Sequence, residues 1–143
     1  MSKANEEAVA AWARLIRLQK QALDKVEKNL KKAGLPPLAW YDVLLELDRA
    51  DSGLRQYEIG ERILLNKHNL SRLLDRLEDK GHLQRKPCAE DGRVSEVRIT
   101  ANGRKLRKQM WPVYAAAIEE AFASRLSAEE VRVFGRTLAK LLD

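Results

Sequence analysis

Apolar residues recur at helical spacing along most of the chain. From about Glu6 to Lys32 no Gly or Pro interrupts, and Ala8, Trp12, Leu15, Ile16, Leu23, Val26 and Leu30 form a stripe broken only by Gln19. Lys31 and Lys32 suit the C-terminal end of that helix dipole, and Gly34 punctuates it. "LPPLAWYDVLLELDRA" opens on prolines, which favour a helix start. Its apolar surface (Leu38, Trp40, Tyr41, Val43, Leu44, Leu45, Leu47) is wide enough to require several packing neighbours.

"DSG" at Asp51–Gly53 reads as a turn, and "RQYEIGERILL" leaves room for a short helix of about three turns. Asn66 is a candidate N-cap for the next helix, which Gly81 stops. "HLQRK" and "RVSEVRIT" then flank "PCAEDG"; the alternation of Val97 and Ile99 with Glu96 and Arg98 predicts a hairpin with a long turn. Thr100 is the N-cap candidate for a long helix carrying Leu106, Met110, Val113, Tyr114, Ala117, Ile118 and Ala121, which Pro112 should kink or split. "SAEE" at Ser127–Glu130 is a capping box opening a last helix.

The order is therefore helix, helix, short helix, helix, hairpin, long helix, helix. This is mainly α with a small β wing: a winged helix-turn-helix at about 36–100, flanked by long helices at about 5–33 and 101–143, all in one domain. The flanking apolar stripes exceed what so small a centre can cover. That predicts a dimerisation region and a two-fold homodimer.

The helix expected over 66–80 carries the candidate chemistry. At about 100° per residue, Leu70, Leu73, Leu74 and Leu77 share one side. Lys67, His68, Ser71 and Arg72 lie outward in its N-terminal half, with Arg76 beyond. A recognition helix presents that half to base edges in the major groove, where Arg can hold guanine through O6 and N7. Asn66 and Asn69 could reach phosphate or adenine. A solvated polar face is the more common state of such a helix, and Asp75, Glu78 and Asp79 would repel phosphate. The short helix before it and the charged hairpin after it favour the reader at 66–76; 78–80 remains a wet end.

These residues also resemble a known family. "NLSRLLDRLEDKGHLQR", followed by "EDGR" and "VRITANG", is similar to the signature of the MarR family of winged helix-turn-helix transcriptional regulators. The carrying residues are Ser71, Arg72, Leu73, Leu74 and Asp75; Leu77, Glu78 and Gly81; Asp91, Gly92 and Arg93; Ile99, Thr100 and Gly103. The resemblance implies a sequence-specific regulator of double-stranded DNA, a repressor acting as a homodimer on a pseudo-palindromic operator. It implies a wing in which Arg93 enters the minor groove and Asp91 holds the turn. Arg85 and Lys86 are the next phosphate candidates, with Arg55 and Gln56 at the start of the short helix. The sequence departs from the family at Arg55, where a Thr usually caps that helix, and at Gly60, where Ala is usual. The family further implies a small phenolic or anionic effector, for which Trp12, Trp40 and Trp111 are candidate pocket residues; an ordinary core or dimer interface suits these aromatics still better.

Composition narrows the classes. The 143 residues include 27 basic and 21 acidic side chains, a net charge of +6, which permits a polyanionic partner without requiring one. No apolar run is long enough to span a membrane and no signal peptide is apparent, so a cytoplasmic protein is expected. The lone Cys88 allows no internal disulfide and reads as an incidental thiol. With only His68 and His82, and no Ser-His-acid set, phosphate loop or metal cluster, no enzyme, cofactor or metal is expected. The competing function is a winged-helix module that binds a protein partner without DNA specificity.

Overall fold

The computed structural model describes residues 3–64, 69–87 and 95–142. The elements run α1 (Lys3–Lys32), α2 (Leu38–Arg49), β1 (Leu54–Arg55), α3 (Gln56–Arg62), α4 (Leu70–Asp79), β2 (Leu83–Pro87), β3 (Ser95–Ile99), α5 (Ala101–Ala121), a 3-10 turn (Ala123–Arg125) and α6 (Ala128–Ala139). The chain divides into two compact units, 34–112 and 1–33 with 113–143.

Within unit 34–112 the helices pack on a three-stranded antiparallel sheet of order β1-β3-β2. Leu83 pairs with Ile99 and Pro87 with Ser95, so the expected hairpin forms. The third strand was not expected: Leu54 and Arg55 pair with Val97 and Glu96. Two residues are too few to display alternation. The left-handed Gly53 (φ 85°) turns the chain into that strand beside the Glu96 and Arg98 side chains, which a Cβ would crowd. Alternate strand positions Leu54, Val97 and Leu83 are buried, as are Leu38, Val43, Leu44 and Leu47 of α2, Ile59 of α3 and Leu74 and Leu77 of α4. Asp48 of α2 accepts from Arg104 Nε at 3.2 Å and Arg107 Nε at 2.6 Å, tying α2 to the first half of α5.

Thr100 caps α5 as expected: its Oγ1 accepts from the Gly103 N–H at 3.1 Å. The α5 helix continues through Pro112 without splitting, although proline cannot donate to the carbonyl one turn back. The boundary between the units falls at this residue.

In unit 1–33 with 113–143, Lys25 of α1 and Glu120 of α5 pair at 2.8 Å, and the rings of Phe122 and Phe134 lie 6.0 Å apart. Ser127 forms the expected capping box: Glu130 N–H donates to its hydroxyl at 3.1 Å, and its own N–H donates to Glu130 at 3.0 Å. Much of the α1 stripe stays open, with Val9, Trp12 and Ile16 exposed.

Candidate nucleic-acid interface

The α4 helix starts at Leu70, with Asn69 at its N-cap in the left-handed region (φ 64°) and the Asn69 carbonyl accepting from Leu73 N–H at 3.0 Å. The expected start at Asn66, with Lys67 and His68, lies outside the described residues. Short polar side chains tolerate positive φ, so either asparagine suits a helix entrance on sequence grounds. From Leu70 onward the periodicity holds: Leu70, Leu74 and Leu77 are buried, while Ser71, Arg72, Asp75 and Arg76 are exposed. Asn69 adds to that outer face.

Beside it stands α3, a seven-residue helix and thus about two turns rather than three. Arg55 occupies its N-cap, where it offers no acceptor, but half of the usual box survives because Arg55 N–H donates to Glu58 Oε1 at 2.9 Å. Gln56, exposed Tyr57 and Gly60 of α3 face Asn69, Leu70 and Ser71 across a shallow groove of about 530 Å³. Tyr57, 60% exposed, was not singled out from sequence; its exposure on this groove is what marks it.

The α4 helix ends in a fixed turn. Gly81 is left-handed (φ 79°), and His82 N–H donates to the Leu77 carbonyl at 2.8 Å. Thr100 Oγ1 donates to the Gly81 carbonyl at 2.6 Å, and Thr100 N–H to the His82 carbonyl at 3.1 Å. At Gly103 a Cβ would overlap that same His82 carbonyl oxygen and stand 2.7 Å from Ile99 Cγ1, so this position admits no side chain.

The two basic strand residues differ. Lys86 is exposed. Arg85 is engaged: its Nη2 donates to Asp75 Oδ1 and Glu78 Oε1, both at 2.7 Å, and its Nε to Glu78 Oε1 at 3.0 Å. The Glu78 hydrogen bond first, then that of Asp75, holds the guanidinium protonated more firmly than an ordinary arginine. Glu78 is therefore more than a solvated acidic end. The wing tip, with Cys88, Asp91 and Arg93, lies outside the described residues.

Trp40 meets His82 edge-on at 6.0 Å, and Trp111 stacks on Tyr41 at 6.0 Å, all within unit 34–112. Trp12, in the other unit, lines an open groove on α1 with Ile16 and Arg17. No helix among the described residues is long and apolar enough to cross a membrane, and none of their His, Cys, Asp and Glu side chains group to hold a metal.

Residues 33–94 match the profile of the MarR family. The chain is 32% identical over 136 residues to the HTH-type transcriptional regulator MhqR of Bacillus subtilis, spanning 95% of this chain and 92% of that protein. The chain belongs to the MarR family of transcriptional regulators. The MarR family is one of regulators, not enzymes. The fold is shared with Sco3205, a MarR family regulator from Streptomyces coelicolor solved in complex with DNA (TM-score 0.84, 23% identity, 99% of this chain and 88% of that one). It is shared also with a variant of MarR from E. coli complexed with operator DNA (TM-score 0.79, 24% identity, all of both chains).

Proposed function

We propose that the protein is a homodimeric transcriptional repressor that binds double-stranded DNA sequence-specifically. The outer face of α4 carries this reading: Asn69, Ser71, Arg72 and Arg76 stand exposed on a helix whose opposite side is anchored by buried leucines. Such a face can enter a major groove, with Arg72 and Arg76 offering guanine-matching forks. Asn66, Lys67 and His68, just before it in sequence, are further candidate contacts. On this reading Arg55, Gln56 and Lys86 are phosphate contacts, Arg93 is the minor-groove contact and Asp91 holds the wing turn. The DNA-bound structures of Sco3205 and of the E. coli MarR variant support this use of the shared fold.

The DNA-binding lobe comprises about 36–100, and helices at about 5–33 and 101–143 form the dimer. Exposed Val9, Trp12 and Ile16 support that second role, as does an apolar groove of about 240 Å³ among Leu15, Leu18, Phe122, Phe134 and Leu138. Two readers related by a two-fold axis require half-sites about one helical turn apart. A small phenolic or anionic effector would release the operator by favouring another lobe spacing, and fluorescence of Trp12, Trp40 and Trp111 would report its binding. The protein acts in the cytoplasm, where the operator is.

The test is selection of bound sequences from a random duplex pool. The expected product is a pseudo-palindrome with that half-site spacing. Recovery of no motif, together with binding indifferent to salt, would instead favour a winged-helix protein-interaction module.

A further inference from the structure

We infer that Arg85 is a positioning residue: it locks wing strand β2 to the reader helix α4 through Asp75 and Glu78, and so sets where the wing stands relative to the reader's exposed face. The inference rests on the DNA-binding reading and gives one of its basic residues a different task.

Leu83 and Arg85 share one face of β2; Leu83 is buried and Arg85 half-buried. The first anchors β2 in the apolar core, and the second continues the same contact where α4 turns polar. Asp75 and Glu78 stand three residues apart on α4, so both carboxylates reach one guanidinium. Glu78 also accepts from the Arg85 backbone N–H through Oε2 at 3.1 Å. One carboxylate thus grips the main chain and side chain of the same residue, which fixes strand and rotamer together. A planar fork is required for this; a lysine ammonium cannot reproduce it.

The contact has an electrostatic consequence. A guanidinium committed to two carboxylates has little charge left for phosphate. It compensates Asp75, which shares the exposed side of the reader with Arg72 and Arg76. Arg85 therefore serves DNA binding by geometry and by masking Asp75.

Duplex affinity measured against salt, for wild type, R85K, R85Q, E78A and the E78A/R85Q double variant, tests this. R85K and R85Q are both expected to bind about tenfold more weakly, with the wild-type salt slope retained. E78A should weaken binding by a similar factor, and the double variant by no more than the worse single one. The inference is overturned if R85K binds like wild type while the R85Q slope falls by about one unit, the mark of a phosphate contact. It is equally overturned if E78A tightens binding by freeing Arg85. Hydrogen exchange at the Arg85 amide, without DNA, should quicken in E78A; unchanged protection overturns the clamp itself. Should R85Q fail to fold, R85K and E78A decide the matter. Wild-type protein that binds no duplex overturns the DNA-binding reading and this inference with it, whereas the preceding outcomes overturn the inference alone.

Discussion

The Thr100 hydroxyl donates to the Gly81 carbonyl at 2.6 Å while accepting from the Gly103 N–H at 3.1 Å. One side chain therefore joins the turn after α4 to the start of α5. Thr100→Val keeps the branched shape and loses both bonds. It should destabilise the protein by about 1–2 kcal/mol, read as a lower midpoint in thermal or urea unfolding. Thr100→Ser should retain most of the stability.

Gly103 lies under the His82 carbonyl, where a Cβ would overlap the oxygen. Gly103→Ala should cost about 1–3 kcal/mol despite the better helix propensity of alanine, because backbone must move. Gly135 of α6 is the control, since nothing lies within 4 Å of a Cβ there. Gly135→Ala should stabilise by about 0.5–1 kcal/mol. Denaturant midpoints of both variants check the contrast; equal effects would contradict it.

Hydrogen bonding to Lys25, reinforced by its charge and more weakly by Lys32, holds the Glu120 carboxyl below the ordinary glutamate range. A carboxyl depressed in the folded state adds stability above its unfolded value and loses it as pH falls through the folded one. Wild type should therefore melt slightly above Glu120→Gln at neutral pH, with the two curves converging in acid. The gap is small because both partners are exposed. Thermal melts across a pH series measure it, and a gap independent of pH would exclude the ion pair as its source.

Periodicity made the outer face of α4 legible, because Leu70, Leu74 and Leu77 repeat with the helix and leave Ser71, Arg72 and Arg76 opposite them. The caps at Thr100 and Ser127 were equally visible, being local signals. Strand β1 was hidden by its length. The Arg85 clamp was missed because helix rules pair residues three or four apart, whereas Glu78 and Arg85 meet across the Gly81 turn. A basic residue alternating with a buried leucine, just after an acidic pair on a helix, is the pattern that could have found it.

The central claim is that α4 reads bases, and Arg72 tests it most directly. Affinity for the selected pseudo-palindrome and for a scrambled duplex should be measured for wild type and Arg72→Ala at several salt concentrations. Loss of about 1–3 kcal/mol on the palindrome, with little change on the scrambled duplex, is the predicted result. Equal, sequence-blind binding by both proteins would contradict it.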